Sequence, residues 1–361
     1  MKNKYIKFNS PLILNQEIKE IQKTLKSGWL TTGSLTSKFE NNFKRYKKAN
    51  YSLAVNSCTA ALHLSLTCLN LKKKDEVITT ALTFSSTINS IVHAGATPVL
   101  ADIDLYTHNI SPDEIKKKIT KNTKAILIVH FAGRPCDMNE IMKIAKKNKL
   151  YVIEDCAHAV ESRYNNKETG TFGDFGCFSF YSTKNIVTGE GGMIITKKKK
   201  YYNRLKSLSL HGMDKGAYKR YGKSGYRHYD VNEFGFKYNM MDLQSSLGIH
   251  QLKRVEKNLS KRLKIWHMYC NGLKNLNIGL PIKLSKNIKH GLHLFIIQIE
   301  KKKLGLSRDQ FINEMHKKKI GIGIHYRSIP EHSIYRKTFG WKKQDYPVAK
   351  KVGEQTISLP L

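Results

Sequence analysis

Between residues 51 and 154 the chain alternates short, continuously apolar runs with helix-length amphipathic stretches, and this alternation limits the possible folds most severely. Strands are expected at 51–55, 76–79, 98–101, 124–129 and 150–154, with helices at 59–70, 84–94 and 137–149. Another helix opens at Ser111-Pro112-Asp113-Glu114, which supplies a capping hydroxyl, a proline at the first helical position and two acids in the first turn. Strands that lack polar alternation are buried on both faces, so the expected architecture is α/β, a mostly parallel sheet covered by helices on either side. After about residue 170 the pattern changes. Short strands are expected at 177–181 and 192–196, an exposed Gly/Tyr/Lys-rich loop at 212–229, and helices at 241–251 and 255–273. A strand at 294–299, a capped helix from Ser307-Arg308-Asp309 and a strand at 320–326 suggest a small α+β unit, which divides the chain into 1–250 and 251–361.

Charge needs separate treatment, because 63 Lys+Arg against 28 Asp+Glu leave a net +35. Such an excess is the footprint of a nucleic-acid binder. Here, however, the lysines fall in short runs (72–74, 116–118, 197–200, 301–303, 317–319) beside turns or on polar helix stretches. No zinc-finger spacing, basic zipper or aromatic RNA-binding signature accompanies them, so a nucleic-acid partner rests on charge alone and solvated surface is the stronger reading. At 40% hydrophobic residues the chain is not disordered. It has no apolar run near the ~18 residues of a membrane span. The basic N-terminus leads into no apolar signal segment. Six cysteines without a C-x-x-C pair point to reduced thiols and a cytoplasmic protein, with no metal site expected.

In an open α/β sheet, ligands bind at the carboxyl ends of the strands. Three such ends carry polar residues able to act together. Asn56-Ser57-Cys58-Thr59-Ala60 opens a helix whose N-terminal hydroxyls suit a phosphate, although Ser and Thr there are also ordinary caps. Glu154-Asp155-Cys156-Ala157-His158 follows an apolar strand, and a carboxylate in that position needs a cation or several donors, as a functional group or as another cap. Lys184 follows an aromatic strand and precedes the glycine-rich stretch 189–192, apart from the surface lysine runs. A desolvated lysine becomes a nucleophilic amine suited to Schiff-base chemistry. Lysine for the imine, aspartate for a pyridine nitrogen and a helix N-terminus for a phosphate are the parts of a pyridoxal 5'-phosphate (PLP) site.

Motifs along nearly the whole chain carry the same message: Ser27-Gly-Trp-Leu-Thr-Thr-Gly33, Asn56-Ser-Cys-Thr-Ala-Ala-Leu-His63, Asp75-Glu-Val-Ile78, Gly95-Ala-Thr-Pro-Val99, Asp102-Ile-Asp104, Ile153-Glu-Asp-Cys-Ala-His158, Phe178-Ser-Phe180, Thr183-Lys-Asn185, Gly189-Glu-Gly-Gly192, His211-Gly-Met213 and Gly235-Phe-Lys-Tyr-Asn-Met240. In these the chain resembles the DegT/DnrJ/EryC1/StrS family of PLP-dependent sugar aminotransferases. The resemblance implies the aspartate aminotransferase-like architecture (PLP-dependent transferase fold type I), with a large PLP-binding domain and a small C-terminal one. It implies that Lys184 joins the cofactor and shuttles the proton, that Asp155 pairs with the pyridine nitrogen and that His158 lies near the ring hydroxyl. Phe84 would stack on the ring, and Thr59, Ala60 and Ser179 would hold the phosphate. It also implies a homodimer with shared active sites, in which a Gly-aromatic-Asn-aromatic-Arg-Met motif of the partner completes the phosphate cradle. Here Lys237 stands at that asparagine's position and Asn239 replaces the arginine; Lys237 can still neutralise a phosphate dianion.

This variant looks like the subgroup that aminates C4 of UDP-linked 4-keto sugars, such as the UDP-4-amino-4-deoxy-arabinose aminotransferases. The implied reaction moves an amino group from an amino acid, glutamate by resemblance, to a nucleotide-linked keto sugar for cell-surface polysaccharide or lipopolysaccharide. Thr32, His211, His325 and Tyr326 are candidate sugar contacts, with satisfied interior histidines as the equal alternative. A sugar dehydratase of the same fold carries histidine in place of the lysine, and Lys184 argues against it; a regulatory PLP protein has no supporting feature. The chain stops at Ser358-Leu-Pro-Leu361, where the resemblance implies a further helix, so a truncated or abbreviated small domain is expected.

Overall fold

The computed structural model describes residues 5–214 and 228–361. Most of the loop expected at 212–229 lies outside these residues. Nine strands occupy the first part: β1 (Tyr51–Val55), β2 (Glu76–Thr80), β3 (Thr97–Ala101), β4 (Thr123–Val129), β5 (Tyr151–Asp155), β6 (Arg163–Tyr164), β7 (Lys167–Glu168), β8 (Phe175–Ser179) and β9 (Gly192–Thr196). Seven of them form one sheet in the order β1-β9-β8-β5-β4-β2-β3. The β8-β5-β4-β2-β3 neighbours are parallel, whereas β9 runs antiparallel to both β8 and β1. Each apolar run expected between residues 51 and 154 is thus a strand of one sheet.

The intervening helices are α1 (Asn15–Lys26), α2 (Ser34–Tyr46), α3 (Cys58–Thr67), α4 (Ser85–His93), α5 (Pro112–Lys118), α6 (Met138–Lys147) and α7 (Lys199–Leu208). Local chemistry sets their starts. Ser57, Ser111 and Asp137 accept the backbone N–H of the third helical residue of α3, α5 and α6. Helix α3 is buried throughout 60–66 between the sheet and its neighbours, as its nearly all-round apolar sequence requires.

Two long helices follow, α8 (Asp242–Lys253) and α9 (Val255–Leu273). Val255 at the start of α9 packs in the core of Phe39, Phe43 and Phe180, while Leu259 and Trp266 pack with Phe295 and Ile357. One helix therefore joins two cores. Asp242 is buried at the start of α8 and caps α2 from outside: its carboxylate accepts the N–H groups of Gly33, Leu35 and Thr36 and the Thr36 hydroxyl at 2.7–3.1 Å. Gly33 is required there, since a Cβ would lie 2.4 Å from the Trp29 ring nitrogen and 2.7 Å from Asp242. Asp242→Ala leaves these buried donors unpaired and is expected to destabilise the protein by about 2–4 kcal/mol, measurable by denaturant unfolding.

The C-terminal part contains β10 (Ile288–Lys289), which joins β6 and β7, then β11 (Phe295–Gln298), α10 (Lys301–Leu304), α11 (Arg308–Lys317), α12 (Ser333–Phe339), α13 (Pro347–Gln355) and β12 (Thr356–Leu359). Two expectations need correction. The strand expected at 177–181 lies two residues earlier, because Phe180 leaves the sheet to close a loop, its N–H bonding the Gly191 carbonyl. The strand expected at 320–326 does not form. Its Ile/Gly alternation mimics a strand, but β12 takes the place beside β11, and residues 320–326 make only the single bridges Ile6↔Ile320 and Gly323↔Ser358. Gly321 lies so close to Phe8 N and Ile6 O that a Cβ would sit about 3 Å from both. The C-terminal part packs over the sheet's carboxyl edge, where Ile296, Ile329 and Ala349 share a core with Ala81, Leu82 and Ile88.

Candidate active site

A cavity of about 470 Å³ opens at the carboxyl edge of the sheet, within the size range of small-ligand sites. Each wall follows from a strand end. Ser57, Cys58 and Thr59 come from the β1–α3 turn, Thr83 and Phe84 from the turn after β2, Asp155 from the end of β5 with His158 just beyond it, and Ser179 from the end of β8 with Lys184 in the loop that follows. Glu190 and Gly191 enter before the antiparallel β9, and His325 and Tyr326 close the cavity from the C-terminal part. Lys184 is held by a turn in which its N–H donates to the Tyr181 carbonyl at 2.8 Å, and the Asn9 side chain donates to the Thr183 carbonyl at 2.9 Å.

Burial lowers the Lys184 pKa from 10.5 to about 8, against the opposing charge of Asp155. Burial raises the Asp155 pKa, and the Ala157 N–H and the Lys184 charge pull it back down. Asp155 Oδ1 accepts from Ala157 N at 3.0 Å, and Thr87 Oγ1 lies 3.4 Å from Oδ2. Cys58 Sγ lies 3.9 Å from Oδ1, so the thiol at the start of α3 faces the same carboxylate.

The depressed lysine has a consequence for stability. Unfolding restores the ordinary affinity of Lys184 for its proton, so below about pH 8 the folded protein bears the full cost of burying the cation, and that cost disappears as pH rises towards 10.5. Without cofactor, Lys184→Met is expected to melt several degrees above the wild type at pH 7, with the gap closing above pH 8; melting curves across that range check it.

Three histidines, His158, His293 and His325, lie within reach of the Lys184 charge. His158 accepts the Ala132 N–H at Nδ1 (3.2 Å), so its Nε2 carries the hydrogen and donates to the Tyr326 hydroxyl at 3.1 Å. His293 lies 4.4 Å from His158, ring to ring. Burial, reinforced by the Lys184 charge, lowers the pKa of both rings well below the ordinary value and that of His325 to about 4. All three are neutral around physiological pH. Phe84 is 58% exposed although it is a large apolar ring; it lines the cavity with its centroid 6.0 Å from that of Tyr326.

The arrangement is an amine nucleophile, a buried carboxylate, an exposed aromatic face and the hydroxyl-bearing N-terminus of a ten-residue helix around one cavity. The DegT/DnrJ/EryC1/StrS aminotransferase family model matches residues 11–361. The chain belongs to this family. A protein of Methanocaldococcus jannaschii, MJ1066, is 48% identical over 351 residues, covering 97% of this chain and 91% of that protein. The spore coat polysaccharide biosynthesis protein SpsC of Bacillus subtilis is 42% identical over the whole chain and 93% of its own length. Among solved structures, the putative sugar aminotransferase Spr1654 of Streptococcus pneumoniae, in its PMP form, superposes with a TM-score of 0.92 at 33% identity, covering 99% of this chain and 94% of that one. Spr1654 is also known in apo and PLP forms. The fold is accordingly the fold type I architecture expected above.

Within this family member, the cavity gathers Thr59, Phe84, Asp155, His158, Ser179, Lys184, His325 and Tyr326. Ala60, next along α3 from Thr59, is buried just behind the cavity wall, and the Ser57 side chain accepts its N–H at 3.0 Å. Thr32, His211, Lys237 and Asn239 line a second, larger cavity of about 810 Å³ between α2, α7 and β1. There Asn239 donates to the Thr32 hydroxyl (2.8 Å), which donates to the Met240 carbonyl (2.5 Å). Burial pushes the carboxyl of Glu40, in the same wall, up to about 7. Among the described residues, His130, Glu154 and Cys156 cluster as metal ligands would. Yet His130 bonds Glu154 at 3.0 Å and accepts the Cys136 N–H, while Glu154 accepts the N–H groups of Gly170, Phe172 and Gly173. The ring nitrogens of His130 and the carboxylate of Glu154 are thus engaged in bracing the segment behind Asp155.

The residue readings missed His293, Asn185 and Cys58. Cys58 and Asn185 were within quoted motifs, whereas His293 reaches the site from a segment without any motif, so only long-range packing reveals it.

Proposed function

We propose that this aminotransferase uses PLP to move an amino group from L-glutamate to a keto carbon, C4, of a nucleotide-linked sugar destined for a surface polysaccharide. The observation that carries this reading is the Lys184 amine, with a pKa near 8, sharing one cavity with buried Asp155 and the hydroxyl-rich start of α3. The PLP and PMP forms of Spr1654 support the cofactor, since amino transfer needs a carrier with both an aldehyde and an amine state. The name of SpsC supports polysaccharide biosynthesis.

The residues present fit the cofactor. Ser57, Thr59 and Ser179 hydroxyls and the first N–H groups of α3 would hold its phosphate, and Phe84 would pack on the ring. When bound, PLP supplies a pyridine ring that accepts the electron pair left by a departing proton. Asp155 would hold the proton on the ring nitrogen. The Lys184 Nζ, its neutral form accessible near pH 8, would take the proton from the amino acid's α-carbon and return it on the other side of the exchange. The C-terminal wall of His325 and Tyr326 would exclude water and face the sugar. A homodimer would let Lys237 of the partner subunit neutralise the phosphate, which accounts for Lys237 lying outside the cavity of its own chain. Among the described residues no helix is long and apolar enough to cross a membrane, and we place the enzyme in the cytoplasm. The boundary near residue 250 between a PLP-binding and a C-terminal domain belongs to the same proposal.

The test is turnover of the PLP-loaded protein with L-glutamate and a panel of nucleotide-linked 4-keto and 3-keto sugars. Production of 2-oxoglutarate together with a 4-amino sugar is expected. Turnover with 3-keto sugars alone moves the position of amination, and turnover only between amino acids and 2-oxo acids removes the sugar from the reading.

A further inference from the structure

Asn185, the residue after the reacting lysine, makes three directed contacts. Its Nδ2 donates to Glu161 Oε2 at 2.9 Å and to the Gly291 carbonyl at 3.0 Å. Two acceptors on the nitrogen set the amide's orientation, so Oδ1 meets His293 Nδ1 at 3.1 Å and that ring nitrogen carries the hydrogen. Glu161 is fully buried and gives its other oxygen to Arg262 of α9 at 2.5 Å. Gly291 cannot be larger: a Cβ would lie 2.7 Å from Ser162 Oγ and 3.2 Å from the His158 carbonyl. The His293 main chain is fixed in turn by its N–H to the Ala132 carbonyl at 3.1 Å. None of Asn185, Glu161, Arg262 and His293 lines the cavity itself.

A lysine side chain is long and rich in rotamers, so where its amine can reach depends on how firmly its own main chain is held. We propose that Asn185 is a positioning residue that locks the Lys184 peptide to Glu161, to Arg262 of α9 and to the 291–293 segment, and so couples the reacting amine to the C-terminal part of the chain. The carboxylate shared between Asn185 and Arg262 makes the coupling two-sided: movement of α9 relative to the sheet moves the acceptor on which Asn185 rests. The inference rests on Lys184 being the cofactor-linked lysine.

The test uses PLP-loaded Asn185→Ala, Asn185→Asp and the double variant Asn185→Asp/Glu161→Gln. Asn185→Ala is expected to bind PLP within about threefold of the wild type, but to slow a single turnover with L-glutamate by about 100-fold with little change in KM. The pH midpoint of the visible cofactor absorbance should shift as well, which a packing role would not produce. Asn185→Asp sets two carboxylates against each other and should be slower still. In the double variant the introduced glutamine donates to the introduced carboxylate, and at least about tenfold of the rate should return. A folded Asn185→Ala enzyme with wild-type rate and midpoint, or a double variant no faster than Asn185→Asp, overturns the proposal; should Asn185→Ala not fold, the other two decide alone. Borohydride reduction of the wild type separates the two levels. If PLP is not trapped on Lys184, both readings fall; if it is trapped and the variants behave as wild type, only the positioning role falls.

Discussion

Lys184→Ala is expected to lower amino transfer by about 10⁴-fold or more, because on the proposed reading it removes both the covalent attachment point and the proton carrier from one cavity. Three readouts should change together. The visible absorbance of PLP-loaded protein should lose its protein-linked component, borohydride should leave no PLP on the peptide that carries residues 181–191, and glutamate should no longer yield 2-oxoglutarate at a measurable rate. The fold should survive, since the Lys184 amine makes no hydrogen bond on which the loop depends; the loop is closed by main-chain bonds from Lys184 N to Tyr181 O and from Phe180 N to Gly191 O. A variant that is folded, binds PLP and keeps even a hundredth of the wild-type rate would place the chemistry on another residue. No other described lysine lines this cavity.

Asp155→Asn should lower the rate by about 10²–10⁴-fold while leaving the shape of the site intact. Asparagine can still accept the Ala157 N–H, but it brings no charge to hold a proton on a ring nitrogen. The second effect has a definite sign. The Asp155 charge is what holds the Lys184 pKa up against burial, so the variant's free lysine should titrate below about 8 in the absence of cofactor. Amine modification of the apo protein as a function of pH reads this directly. Stability should move the opposite way to activity. Burial raises the Asp155 pKa, so above that pKa the folded apo protein bears the cost of an ionised buried carboxylate, which Asp155→Asn removes. A slower and more heat-resistant apo protein is the expected pairing. An Asp155→Asn enzyme of undiminished rate would remove Asp155 from the mechanism.

The strands of the parallel sheet were legible because each is an unbroken apolar run, as a strand with two covered faces must be; Ile126 to Ile128 and Val152 to Ile153 are buried to the last atom or nearly so. Lys184 was legible because it alone among the lysines stands between an aromatic strand and a glycine turn. The lysine runs were legible as surface: residues 116–118, 301–303 and 317–319 lie at helix ends, where several pair with an acid one turn away. Such exposed pairs contribute little. What the pattern concealed is long-range. Ile/Gly alternation over 320–326 satisfies the strand template, but only the finished structure shows that β12 reaches β11 first. His293 lies in a short apolar run with nothing to mark it, yet its ring packs at a tilt against that of His158 and bonds Asn185.

The position of β1 has a consequence for how the protein is made. In the sheet β1 touches only β9, with Tyr51 opposite Thr196, so the first strand to leave the ribosome waits for the last strand of the sheet. Until then its β9-facing edge has no strand partner, and closing so long a loop is slow. The nascent chain should therefore engage chaperones between the synthesis of β1 and that of β9. On the proposed reading, the start of α3 should then become competent to bind PLP phosphate only after β9 has docked, a late step that added cofactor would accelerate only by trapping its product.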